Sequence, residues 1–93
     1  MKKHIIEQAL AGVLEDLADA EHQRWTHWQS YVHSQGVRQP DGSLIIPAEL
    51  VSRWDRETKT VYSELTEQEK ESDREQVRRY LPIVINALAK YKD

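Results

Sequence analysis

The sequence has no cysteine, no phenylalanine, and only three glycines and three prolines. Without cysteine there is no disulfide framework, no thiolate zinc site and no cysteine nucleophile, and the chain does not need an oxidising compartment. The glycines stand apart at Gly12, Gly36 and Gly42. That isolation excludes a phosphate-cradling glycine loop, a dinucleotide fingerprint and a nucleophile elbow. Long apolar runs are also missing. Lys2 and Lys3 are followed by Glu7, Glu15 and Asp16, which break the stretch that a signal peptide or membrane span requires. Nor is there a marked excess of either charge: the net charge is −3, which gives no global attraction to a nucleic-acid polymer or an anionic lipid surface. The expected setting is the cytoplasm, with neither a membrane nor a nucleic acid as partner.

The chain of 93 residues is sized for one domain, taken as 1–93. Its large apolar side chains include three Trp and four Tyr, rings that keep a polar edge even when packed. A core built from them is thin, and a small domain buries a smaller share of its surface than a large one does. A homo-oligomer is therefore expected.

Apolar residues at Ile6, Leu10, Val13, Leu17, Trp25, Trp28 and Val32 keep spacings of three and four, with Glu21 as the one interruption. This pattern predicts one helix of about 30 residues and roughly 45 Å. A helix so long in so small a domain should bend near Ala18–Ala20 or extend its first turns toward a second subunit. Gly36, Pro40, Asp41 and Gly42 mark a loop over 35–43. Leu44–Ile46 is short and apolar, but a strand there would need a partner that the sequence does not supply. Pro47 opens a second helix reaching about Glu57, with Leu50, Val51 and Trp54 on its apolar face. Thr66 and Glu69 form a capping box that starts a third helix. That helix continues through Val77, Leu81, Val84 and Leu88, and Pro82 should kink or divide it. The fold class is all-α: a compact bundle of three to four helices with one long N-terminal helix, and no internal repeat.

The four histidines do not have metal-ligand spacing. His22 and His27 sit about 140° apart on a helix, while His22 and His33 share a face at roughly 16 Å; His4 is remote in sequence. No metal and no cofactor is expected. Glu67, Glu69, Glu71, Asp73 and Glu75 could supply paired carboxylates for acid–base work. Their interleaving with Lys70 and Arg74 near a helix start instead reads as a solvated, salt-bridged face. The aromatic set is more informative. Trp25, Trp28, Tyr31, Trp54 and Tyr62 are interspersed with His22, Arg24, Arg53 and Lys59, a combination suited to a planar anionic ligand such as a nucleotide. The same pattern also suits plain packing, in which Trp fills a core and Arg lays its stem over the ring.

His22-Gln23-Arg24-Trp25, followed after a loop by Tyr62-Ser63-Glu64-Leu65-Thr66-Glu67-Gln68-Glu69-Lys70-Glu71-Ser72-Asp73-Arg74, resembles the RyR domain family. These are small helical modules repeated in ryanodine receptors and found as short stand-alone proteins of bacteria and phages. The likeness covers about residues 14–88 and is most specific in the second segment. The chain departs from the family pattern at Gly36-Val37, where a glycine and an aromatic are usual, at Val61, which replaces a proline, and in the loop 36–47.

The resemblance implies a non-enzymatic module connected with adenine nucleotides and with nucleotide signals of bacterial immunity. It implies His22, Trp25, Tyr62, Lys70 and Arg74 as ligand-binding residues. Trp25 or Tyr62 would stack on a base, Lys70 and Arg74 would meet phosphate oxygens, and Asp73 would orient a cation or cap the helix. The expected function is binding of a small nucleotide-type ligand, such as a cyclic nucleotide or ADP-ribose-derived signal, by a sensor or sequestering protein, including a phage anti-defence protein. The rival expectation is a helical assembly module with no small-molecule ligand, whose interface depends on Trp28 and Trp54.

Overall fold

The computed structural model describes residues 1–91. Helix α1 spans Lys3–Ala11 and α2 spans Leu14–Gln35. Strands β1, Val37–Arg38, and β2, Leu44–Ile45, come next, then α3, Ala48–Thr58. A 3₁₀ turn over Tyr62–Glu64 leads into α4, Glu67–Lys90.

The expected single N-terminal helix is two helices, and the break falls at Gly12–Val13 rather than near Ala18–Ala20. Val13 N–H donates to Leu10 C=O at 3.1 Å, a tightened turn in place of the helical bond, while Leu17 N–H resumes the helical pattern on Val13 C=O at 2.9 Å. The apolar spacing of three and four runs straight across this step and so hides it. The longest helix is α4, at 24 residues. It passes through Pro82 undivided, since a proline removes one backbone bond from a helix that keeps many.

The segment at Leu44 does find a strand partner. β1 and β2 pair antiparallel, Val37 with Ile45 and Arg38 with Leu44. Gly42 closes the hairpin with a φ of 89°, a conformation that side-chain-bearing residues rarely adopt. Asp41 Oδ1 accepts from the Ser43 N–H at 2.9 Å and fixes the turn. Pro47 is the cap before α3 rather than its first residue. At α4 the capping box is present in full: Glu69 N–H donates to Thr66 Oγ1 at 3.2 Å and Thr66 N–H to Glu69 Oε1 at 3.0 Å.

Helix α4 runs back antiparallel along α1 and α2. Tyr91 Oη donates to Gln8 at 2.7 Å near one end of this pairing, and Tyr80 Oη to Glu21 further along. Helix α3 is tied to α2 by the rings of Trp54, Trp28 and Tyr31, and to α4 by the Arg56–Glu69 ion pair. The expected compactness is not found. The radius of gyration is 18.4 Å, against about 12 Å for a globular chain of this length. The molecule measures 58 × 34 × 17 Å, and among the described residues none is fully buried. The apolar stripes are real, but they meet one another over only part of their length.

Candidate ligand-binding site

The start of α4 gathers three of the five residues that the sequence nominates. Tyr62 lies in the 3₁₀ turn, held where the capping box begins the helix four residues later. Lys70 Nζ stands 5.8 Å from the centroid of the Tyr62 ring, within cation–π range. Arg74 Nε donates to Tyr62 Oη at 3.1 Å. Lys70 and Arg74 are four apart and so lie on one face of the helix, one turn above the other. The Lys70 side chain is 18% exposed, so its stem is packed and its ammonium is aimed rather than free.

Both cations already have acidic company. Lys70 is 3.7 Å from Glu67; Arg74 meets Glu67 at 3.2 Å and Glu71 at 3.3 Å. Glu71 also pairs with Arg78. Hydrogen bonds to Glu67 first, then to Glu71 and Tyr62, hold the Arg74 guanidinium further above its ordinary range. Arg78, then Arg74, pull the Glu71 carboxyl below its usual value. The acids that orient Arg74 are therefore Glu67 and Glu71; Asp73, expected in that role, is exposed and has no hydrogen bond to either cation. Glu67 is the looser of the two, 78% exposed on the first turn of the helix.

His22 and Trp25 form a second group on α2, stacked with ring centroids 5.9 Å apart and planes at 15°. Among the described residues no hydrogen bond or ring contact joins them to Tyr62, Lys70 or Arg74. They do lie toward the same end of the helix pair. From the Tyr80–Glu21 bond, Trp25 is about 6 Å further along α2 and Arg74 about 9 Å further along α4, in the same direction because the helices are antiparallel.

One feature was not anticipated from the residues. Glu21, which reads in the sequence as a flaw in the apolar stripe, accepts from both Arg24 and Tyr80 and so locks α2 to α4. Those bonds, Arg24 first, take its carboxyl from an ordinary 4.5 to about 2. The spacing of Glu21 and Arg24 was a visible cue; Tyr80 is far away in sequence. Trp28 packs edge-on against Trp54 at 5.4 Å, with Tyr31 at 5.8 Å from Trp28 and 6.5 Å from Trp54. These rings hold α2 and α3 together and are spoken for as packing. Trp25, the tryptophan nominated for ligand binding, is outside this cluster.

Comparison with known protein families, with curated proteins and with solved structures returns no match for this chain. Two surface hollows, one along α3 at Ala48, Val51, Ser52, Asp55, Arg56 and Lys59 and one between α2 and α4, include none of the five nominated residues. No group of three or more His, Asp or Glu among the described residues is placed to hold a metal ion. No described helix is long and apolar enough to cross a membrane.

Proposed function

We propose that the chain is a non-enzymatic binding protein that takes a small nucleotide-type anion at the start of α4. The observation that carries this reading is the convergence of Lys70 and Arg74 on the ring and hydroxyl of Tyr62. An exposed ring offers a stacking surface for a base. The two cations suit phosphate oxygens. His22 and Trp25, stacked and toward the same end of the helix pair, are proposed as the opposite wall. The resemblance to RyR modules leads to the same residues and suggests a cyclic nucleotide or an ADP-ribose derivative as ligand. On this reading the protein is a cytoplasmic sensor or sequestering protein, and in a phage it would act against nucleotide-signal defence.

Thermal unfolding against mononucleotides, cyclic dinucleotides and ADP-ribose derivatives tests the proposal. A ligand at 100 times its dissociation constant stabilises the fold by about 2.7 kcal/mol, a rise of several degrees for a domain this small. The expected result is a selective rise that Arg74→Ala abolishes, with the ligand recovered unaltered. A flat response across the panel would overturn it. The second reading, a helical assembly module, is favoured by the amount of apolar surface left uncovered. Under that reading no nucleotide shifts the transition.

A further inference from the structure

The layer formed by α2 and α4 has two unlike faces. On α4 the half-buried residues Tyr80, Ile83, Val84, Ala87 and Leu88 mark the side turned toward α1 and α2. Val77, Leu81 and Ile85 lie about 90° round the helix from that side, and they are 52%, 48% and 60% exposed. On α2, Leu14 and Trp25 are exposed and are offset by a similar turn, in the same sense, from the half-buried Leu17, Ala20 and Arg24. Equal turns in the same sense on antiparallel helices lead to the same side of the layer. The opposite side is polar: Asp16, Asp19 and Gln23 of α2 share a hollow with Arg79 of α4.

The apolar side is built to be covered. Leu81 to Ala89 contains no charged residue, so this half of the stripe brings no ion of its own into a contact, and the charged neighbours Arg74 and Arg78 lie on the half before Leu81. A helix segment apolar on more than one side belongs inside a core, and here only one side is packed. The chain exposes 7416 Å², roughly 1,800 Å² more than a compact protein of its mass would. That excess is spread over the whole chain, but two copies that each hid half of it would still bury roughly 1,800 Å² between them, the size of a standard specific interface.

We propose that a second copy of this chain covers this face, in a two-fold dimer centred on Leu81. The stripe is symmetric about that residue: β-branched Val77 and Ile85 stand four positions to either side, so a two-fold axis there sets Val77 against Ile85 of the other copy and Leu81 against itself. Leu14 extends the contact along α2, while Trp25, toward the other end of the pair, is left to the ligand wall proposed above. The proposal does not depend on the ligand reading, which concerns the start of α4.

Because the natural chain has no cysteine, introduced thiols report the contact cleanly. Leu81→Cys should form a disulfide-linked dimer under mild oxidant, since a two-fold axis at this position brings the two thiols within bonding distance. Arg79→Cys, on the polar side, should not. Light scattering of the wild-type chain should give twice the chain mass, and Leu81→Glu should weaken association roughly 30-fold or more, as loss of an interface hot spot does. A wild-type chain of single mass, equal cross-linking at both positions, or an undiminished dimer in folded Leu81→Glu would each overturn the proposal. If Leu81→Glu does not fold, the cross-linking pair decides alone.

Discussion

Glu69 joins the start of α4 to α3. It receives the Thr66 N–H of the capping box and the Arg56 guanidinium of α3, and these, in that order, take its carboxyl from an ordinary 4.5 to about 2. Beside it, burial first and the Glu69 carboxylate second push Glu57 upward. Glu21 is lowered to about 2 by Arg24 and Tyr80. A carboxylate whose folded value lies below its unfolded one contributes stability that is complete above the unfolded value and is lost as pH falls toward the folded one. The melting temperature is therefore expected to be level near neutrality and to fall between about pH 4.5 and 2. Glu69→Gln, measured over the same pH series, should start lower at neutral pH and fall less steeply. A slope unchanged in both Glu69→Gln and Glu21→Gln would mean that other carboxylates govern the acid response.

At the level of elements, the best-read parts of the sequence are those where a local chemical rule suffices. Thr66 and Glu69 start α4 by hydrogen bonds within three residues, and Pro47 sets the entry to α3. The hairpin was not legible because its strands are two residues each, too short for an alternating pattern, and depend on the left-handed turn at Gly42. In the site, the one-turn spacing of Lys70 and Arg74 was legible. The capture of Arg74 by Glu67 and Glu71, like the Tyr80 bond to Glu21, depends on side-chain choices among several possible partners. The Gly12 break was hidden for a different reason: a lone glycine weakens a helix by only about 1 kcal/mol, and the apolar spacing does not change across it. Gly12 itself has φ −77° and ψ −7°, and a Cβ there meets nothing within 4 Å. Ala fits this backbone and restricts the unfolded chain, so Gly12→Ala is expected to stabilise the fold by about 0.5–1 kcal/mol, read as a rise of a few degrees. A lower melting temperature would mean that α1 needs the hinge to reach α4.

For the molecule as a whole, the decisive quantity is how little of it is inside. A radius of gyration of 18.4 Å and the lack of any fully buried side chain among the described residues leave a single chain without a core of its own. Domains are held by packed layers around a shared interior, and here the α2–α4 layer faces outward on its apolar side. Folding and association should then be one event, and an event that joins two chains depends on their concentration. Each tenfold dilution changes the balance by about 1.4 kcal/mol. Against an unfolding entropy near 2.1 cal/mol/K per residue over two chains, that is a drop of roughly 3–4 °C in the midpoint. Calorimetry over a hundredfold range in protein, with no nucleotide present, should therefore show a fall of roughly 7 °C on the same arithmetic. A monomer that folds unaided would melt at one temperature throughout. Arg74→Ala should keep the concentration dependence of the wild type, because removing an ion-paired guanidinium leaves the apolar residues Val77, Leu81 and Ile85 in place. Leu81→Glu should lower the midpoint at every concentration, or leave no cooperative transition at all. A variant pattern in which Arg74→Ala and Leu81→Glu behave alike would mean that the cationic cluster and the apolar face are parts of a single interface.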